Sequence, residues 1–337
     1  MTLEERILAF VQLGKLISSL NSDEFDALAW RVENNNSWFT PEHTKSALNG
    51  LEVFLDEKKL REWTAKYTIN ENASPKEIGI LMAGNIPAVG FHDLLCVLIV
   101  GHKASVKLST SDTVLIQWLA NELVAIQPEF GKLISFEEML KGKDAYIATG
   151  SDNSARYFNY YFGKYPSIIR KNRTSIGILD GKESPADFVS LAKDIFQYFG
   201  LGCRNVSKIY VPHKEVLVKF LDAIDGFQIL ASNHKYINNY DYNKSIYLVN
   251  GEEHLDNGFL LLRQSKDLVS PISVVYYETY DSLESLENEI STISEKIQCI
   301  VSKDAWYAGS SGFGLAQTPA LDDYADGIDT LEFLIGL

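Results

Sequence analysis

The chain has 337 residues, 46% hydrophobic and 23% charged, with a formal net charge of −14. That length supports a large core and about two domains, and the acidic balance argues against non-specific binding to nucleic acid or anionic membranes. Three cysteines make no disulfide framework and fit a reducing cytoplasm. The segment Met1 to Leu20 carries Glu4, Glu5, Arg6 and Lys15, so it does not read as a signal peptide. The longest apolar run, Leu94 to Val100, is too short to span a bilayer.

Residues 1–70 read as a helical segment. Leu3, Ile7, Phe10, Gly14 and Ile17 recur at helical spacing. Ser22 is placed as the N-cap of a second helix carrying Phe25, Leu28, Ala29 and Val32. Thr40-Pro41 starts a third, with Pro41 at the first helical position and an amphipathic run to about Tyr67. Ser74-Pro75 breaks the pattern. From Ile78 strands and helices alternate. The rhythm predicts strands at 78–83, 104–108, 145–149, 167–170 and 175–179, and helices at 89–100, 114–126 and from Asn153. A helical run from Phe188 to Phe199 then leads into a strand at 206–211. A helix at 215–224, strands at 259–263 and 273–277, a helix at 283–297 and a strand at 298–302 follow. Residues 228–258, rich in Asn, Tyr and Asp, read as irregular or edge structure. Such alternation predicts an α/β fold of parallel strands joined by crossover helices. The turns Gly84-Asn85, Ser109-Thr110 and Gly150-Ser151 would then line one sheet edge, where α/β sheets bind ligands.

Cys203 is the strongest candidate for chemistry. It lies in Phe199-Gly200-Leu201-Gly202-Cys203-Arg204-Asn205, between a helix-like and a strand-like run, and the two glycines leave room for a substrate to approach the sulfur. Arg204 or a nearby helix N-terminus would favour the attacking thiolate. The plainer alternative is a small apolar side chain at a strand start. Cys96 and Cys299 sit in apolar runs and read as core. Asn85 offers an amide donor at the sheet edge, suited to a developing oxyanion, although a turn asparagine beside a proline is the simpler reading. Lys107 at a strand end can reach a ribose or phosphate, or be a surface lysine. Thr149-Gly150-Ser151 precedes a helix whose N-terminus could take a pyrophosphate. Gly312-Phe313-Gly314 lacks the third glycine of a dinucleotide fingerprint. Asp322, Asp323, Asp326 and Asp329 match no calcium loop and read as a solvated turn. No His/Cys cluster has zinc spacing, so no metal is expected.

The order of these signals resembles the aldehyde dehydrogenase superfamily. Within it, the chain is similar to the LuxC-type acyl-CoA reductases, the fatty-acid reductases of bacterial luminescence and their relatives. The resemblance runs from about residue 75 to the C-terminus. It rests on Gly84-Asn85-Ile86-Pro87, Phe199-Gly200-Leu201-Gly202-Cys203 and the tail from Gln317 to Thr330. It implies two Rossmann-like domains with parallel sheets: a cofactor domain over 71–199 and a catalytic domain over 200–305, with a C-terminal tail over 306–337. It also implies NADPH or NADH as hydride donor, an acyl-CoA substrate, a homo-oligomer and room for an acyl-activating partner enzyme. Carried over by position, Cys203 is the nucleophile, and Asn85 with the Cys203 N–H is the oxyanion donor. Lys107 faces the adenosine ribose, Gly150 and Ser151 face the cofactor phosphates, and Asp267 stands for the glutamate that holds the nicotinamide ribose. The family's water-activating glutamate is absent: the matching stretch is Ser167-Ile168-Ile169-Arg170-Lys171. Asp267 lies in Asp267-Leu268-Val269-Ser270-Pro271, where the family has Glu-x-Phe-Gly-Pro. These departures favour reduction of an acyl-enzyme, or its transfer, over oxidation to a free acid. They leave open an acyl phosphate or carrier-protein thioester as donor, and a non-redox acyl-transfer or scaffold subunit.

Overall fold

The computed structural model describes residues 1–150 and 152–337. The chain forms two compact units, Met1–Asn172 with Ala320–Leu337, and Arg173–Pro319. The division falls at Asn172 rather than near Gly200, because the strand after Arg173 pairs into the second sheet. Nor is residue 306 onward a separate tail, since its last part returns to the first unit.

The first unit opens with α1 (Leu3–Ser19), α2 (Ser22–Asn35), α3 (Pro41–Phe54) and α4 (Glu57–Thr64). Thr2 and Asn21 close capping boxes with Glu5 and Glu24. Asn21, not Ser22, is therefore the cap of α2. Thr40 caps α3, and Asp56 interrupts the long amphipathic run by capping α4. Phe10, Leu13, Leu28, Leu60 and Trp63 share one core with Ile78, Ile80 and the run Leu94 to Ile99. Full burial of each such large apolar side chain contributes about 1.5–3 kcal/mol. The N-terminal helices are thus integral to this unit.

The sheet of this unit contains β1 (Glu77–Leu81), β2 (Lys103–Lys107), β3 (Ile134–Phe136), β4 (Ala145–Thr149) and β5 (Ser167–Arg170). Its order is β3-β2-β1-β4-β5, all parallel. α5 (Phe91–Val100), α6 (Thr113–Ile126) and α7 (Asp152–Phe162) supply crossovers. Central strands carry small or branched apolar residues, Ile78, Ile80, Ala104, Val106, Ala145 and Ile147, all buried as a sheet covered on both faces requires.

The second unit contains β6 (Thr174–Ile178), α8 (Pro185–Phe196), β7 (Val206–Val211), α9 (Glu215–Ala223), α10 (His234–Asn250), β8 (His254–Asp256), β9 (Leu261–Gln264), β10 (Val274–Thr279), α11 (Leu283–Ile293), β11 (Ile297–Ser302) and β12 (Ser311–Gly312). Its sheet runs β12-β11-β6-β7-β10-β9-β8, parallel throughout save the antiparallel β8–β9 edge. α10 overturns the irregular reading of residues 228–258. Asn233 caps it, and it buries Tyr236, Tyr240, Asn243 and Tyr247 at helical intervals. Amphipathic tyrosines, not aliphatic residues, make its buried stripe.

The chain then returns to the first unit and ends in α12 (Thr330–Ile335). The acidic segment before it keeps Asp322 and Asp323 exposed, as a solvated turn would, but is docked through Tyr324 and Asp329. Trp63 Nε1–H donates to Tyr324 Oη at 2.8 Å, and Tyr67 Oη lies 2.8 Å from the same hydroxyl. Tyr67 also donates to Asp329 Oδ2 at 2.6 Å, and Lys66 pairs with Asp322 at 2.5 Å. Among the described residues, no helix is long and apolar enough to cross a membrane.

Candidate active site

In the first unit the strand order reverses beside β1: the chain runs outward through β2 and β3, then crosses back to β4. This is the switch point at which open α/β sheets leave a crevice at the carboxyl ends of their strands. The loop carrying Asn85 follows β1, Lys107 ends β2, and Gly150 follows β4, so these three lie along the same sheet edge. Asn85 is exposed. Gly84 lets its loop close on the loop after β2, since a Cβ there would lie 2.4 Å from Ser109 Oγ. Gly150 is required by α7, because a Cβ there would come 2.7 Å from the Phe158 ring and 2.9 Å from Ser154 Cβ. Ser151 lies outside the described residues.

Lys107 opens onto a cleft of about 780 Å³ in the same unit. Its wall is aromatic: Tyr146 stacks on Phe162 with ring centroids 4.3 Å apart, and Tyr165 lies 5.3 Å from Tyr146. Lys107, Lys141 and Lys164 line the cleft, and the described lining residues include no carboxylate. Lys107 Nζ donates to the Glu138 carbonyl at 2.8 Å, which fixes its side chain at the rim. Stacking surfaces with lysines along the same lining suit a planar base bearing phosphates. The crevice, the glycine after β4 and this cleft together fit a dinucleotide on the first unit.

In the second unit, Cys203 sits in the turn between the end of α8 and β7 and is partly exposed. The approach is conformationally unusual. Tyr198, Phe199 and Gly200 take left-handed φ values of 55°, 55° and 77° in succession. Two aromatic residues hold that region only when their surroundings over-determine it. Asn205 supplies much of that determination. Its Nδ2 donates to the carbonyls of Asp194, Ile195 and Gln197 at 3.0, 3.2 and 2.8 Å, while its Oδ1 accepts the Gly202 N–H at 2.8 Å. Ser175, at the start of β6, donates to the Cys203 carbonyl at 3.1 Å. Arg204 Nη1 donates to the Ala316 carbonyl at 3.3 Å. Asp194 accepts the N–H groups of Gly314 and Ala316 at 2.6 and 3.0 Å, and burial pushes its carboxyl up to about 6. Gly312-Phe313-Gly314 therefore belongs to a loop seated on α8.

Cys96 is fully buried, and burial pushes its thiol well up. Cys299 is not simple core. Its Sγ lies 3.0 Å from Ser175 Oγ, the hydroxyl that also holds the Cys203 carbonyl, and burial raises its pKa. Asp267 is exposed after β9, with its Oδ2 3.3 Å from the Ser265 hydroxyl. Its loop is tied to β7, because Ser207 Oγ donates to the Leu268 carbonyl and Lys208 Nζ to that of Lys266. In the first unit, Arg170 is buried. Its Nη1 meets both oxygens of Asp93 at 2.8 and 2.7 Å, and Nη2 donates to Thr330 Oγ1. Arg170 is thus a buried guanidinium locked between Asp93 and Thr330.

Sequence reasoning missed Asn205 and Ser175. An asparagine just after a glycine-containing turn is a recognisable turn signal. Ser175 gives none, since its contact with Cys203 spans 28 positions.

Among the described residues, no group of three or more His, Cys, Asp or Glu side chains is arranged to hold a metal ion. No protein-family model matches the chain. No curated protein sequence matches it. Solved structures do. An oxidoreductase from Marinobacter aquaeolei superposes with a TM-score of 0.65 at 13% identity, over 99% of this chain and 84% of that one. The NAD+ complex of an aldehyde dehydrogenase from Bacillus cereus gives 0.59 at 14%, over 90% and 72%. Aldehyde dehydrogenase 21 from Physcomitrella patens, solved with the reaction product succinate, gives 0.60 at 13%, over 100% and 89%. The chain therefore has the aldehyde dehydrogenase-like α/β fold, with two parallel-sheet units and helices at the N-terminus.

Proposed function

We propose that this protein reduces a long-chain fatty acyl-CoA to the aldehyde, using a nicotinamide cofactor and a thioacyl intermediate on Cys203. The observation that carries the reading is the Cys203 turn: a partly exposed thiol on a backbone fixed by Asn205 and Ser175. The LuxC-type resemblance supplies the substrate class.

Cys203 Sγ attacks the thioester carbonyl, the tetrahedral oxyanion is held by Asn85 and the Cys203 N–H, and the CoA thiolate departs. When bound, the reduced nicotinamide supplies the hydride that takes the thioacyl carbonyl to a thiohemiacetal. That adduct then releases aldehyde and regenerates the Cys203 thiol. The backbone at Gly150, before α7, would face the cofactor phosphates, and Lys107 would meet the adenosine ribose. Lys141 and Lys164 in the same cleft favour a phosphorylated ribose, hence NADPH over NADH. Ser151 keeps its proposed phosphate role, and Asp267 its role toward the nicotinamide ribose. Arg170, held by Asp93, leaves no carboxylate in its stretch to activate water, which favours reduction over hydrolysis. Soluble cytoplasmic residence, a homo-oligomer and an acyl-activating partner enzyme complete the proposal.

The test is acyl-CoA-dependent oxidation of NADPH and NADH, followed by absorbance, over a panel of chain lengths and against acyl phosphates and carrier-protein thioesters. Cys203→Ala should abolish turnover with the fold intact; retained turnover would remove the assignment. A second reading, an acyl-transfer subunit without redox turnover, is favoured by the exposed Asp267 bonded within its own loop. It requires acylated Cys203 with no NADPH consumed.

A further inference from the structure

Asp112 is a buried acid that the proposed chemistry does not use. It stands at the N-terminal boundary of α6, where an aspartate ordinarily caps the helix, yet its side chain makes no capping hydrogen bond. Instead Oδ2 accepts the Ala88 N–H at 2.7 Å. Ala88 has φ 58°, left-handed and unfavourable for alanine, and it lies three positions beyond Asn85 in the loop after β1. Asp112 is 2% exposed, and Oδ1 has no hydrogen-bond partner. Among the described residues, the groups seen to pack on it or beside it are uncharged. Gly84 packs on Ser109 and Asp112 from the β1 loop, and Asn35 at the end of α2 and Asn36 just beyond it bond the neighbouring Thr110 and Ser111 carbonyls. Burial raises the Asp112 carboxyl to about 7, opposed by the Ala88 N–H, and no charged side chain contributes. An acid buried without a counter-ion, at a cap position whose helix its side chain does not cap, is a candidate for a role beyond stability.

We infer that Asp112 is a positioning residue for Asn85, its carboxylate holding the strained Ala88 backbone so that the loop presents the Asn85 amide at the sheet edge. This rests on the reading of Asn85 as the oxyanion donor. When ionised, Asp112 is a strong acceptor for the Ala88 N–H. When protonated it accepts weakly, and the loop loosens. Asp112 itself touches no substrate, so its removal should lower kcat and leave KM for the acyl donor nearly unchanged.

The experiment measures kcat and KM against pH for wild type, Asp112→Asn, Asp112→Ala, Asn85→Ala and the Asn85→Ala/Asp112→Ala double variant. Hydrogen exchange over residues 84–90 is read in parallel. Misplacing the donor should lower kcat about tenfold to a hundredfold in Asp112→Ala, but less than about twofold when Asn85 is already alanine. Wild-type kcat should fall below about pH 7, and Asp112→Asn, a neutral acceptor like the protonated acid, should hold kcat near that low-pH level across the pH range. Protection over 84–90, taken relative to the intrinsic exchange rate at each pH, should fall in Asp112→Ala, and in wild type below about pH 7. A wild-type kcat in Asp112→Ala, or an equal loss in the Asn85→Ala background, would overturn the inference. Should no acyl donor support turnover in the wild type, the reading of Asn85 fails on its own. Exchange then decides for Asp112, and unchanged exchange in Asp112→Ala overturns the anchoring.

Discussion

Asn205 closes the Cys203 turn by accepting the Gly202 N–H at 2.8 Å while its amide nitrogen gathers three carbonyls at the end of α8. One side chain thereby satisfies the frayed end of a helix and sets the backbone on which the thiol stands. Asn205 is buried, so water cannot replace it.

Removing that side chain strands one N–H and three carbonyls. Asn205→Ala should destabilise the protein by about 2–4 kcal/mol, as expected for a broken buried polar network. Asn205→Asp should be at least as damaging, since a carboxylate cannot donate to the carbonyls. Thermal or urea unfolding measures both, and an unchanged midpoint for Asn205→Ala would show that the turn is held by other contacts.

The three cysteines should differ in reactivity. Burial raises the Cys96 and Cys299 thiols, so little of either is thiolate near neutral pH. Cys203 and Cys299 are both partly exposed, so the contrast with Cys299 rests on its raised thiol and its contact with Ser175. A time course with iodoacetamide, read by peptide mass spectrometry on the folded protein, should modify Cys203 about tenfold faster or more than either other cysteine. Equal labelling of Cys299 would contradict this, and would make the thiol beside Ser175 a rival nucleophile.

Asp112 should tax stability in a pH-dependent way. Its carboxyl is raised to about 7 in the fold, above the ordinary unfolded value near 4. Between those values the folded state binds the extra proton, so this contribution is fully present at low pH and is lost as pH rises through about 7. Asp112→Asn removes the titration. Its stability relative to wild type should therefore improve between about pH 5 and about pH 8, by an amount on the order of 2–4 kcal/mol. Denaturant titrations at the two pH values check it, and a constant difference would mean that Asp112 titrates normally.

The tail should be a structural latch. Tyr324→Phe leaves Trp63 Nε1–H without its acceptor and removes a hydroxyl from the Tyr67–Asp329 chain. A loss of about 1–3 kcal/mol is expected. No change in unfolding midpoint would mean that the hydroxyl contributes nothing net.

Much of this was legible in the sequence because it is local. The strands at 145–149, 167–170 and 206–211 announce themselves as short apolar runs, and β4, β5 and β7 occupy those residues. The turn around Cys203 is visible as glycines between a helical and a strand-like run. What failed was non-local or carried by the wrong residue types. The strand at Thr174 reads like its predecessor, yet pairing with β7 and β11 puts it in the second sheet. α10 hid because its buried stripe is tyrosine and asparagine. The acids before α12 look solvated until Trp63, Lys66 and Tyr67, some 250 positions away, are seen to bond that segment. Asp112 gives no signal of its role at all, since an aspartate before a helix reads as an ordinary cap.

The most direct measurement is the intact mass of the protein after incubation with a long-chain acyl-CoA and no nicotinamide. A gain of one acyl group, mapped to Cys203, absent in Cys203→Ala and discharged as aldehyde when NADPH is added, is the expected result. An unmodified mass, or acylation that persists in Cys203→Ala, would contradict a covalent route through this thiol.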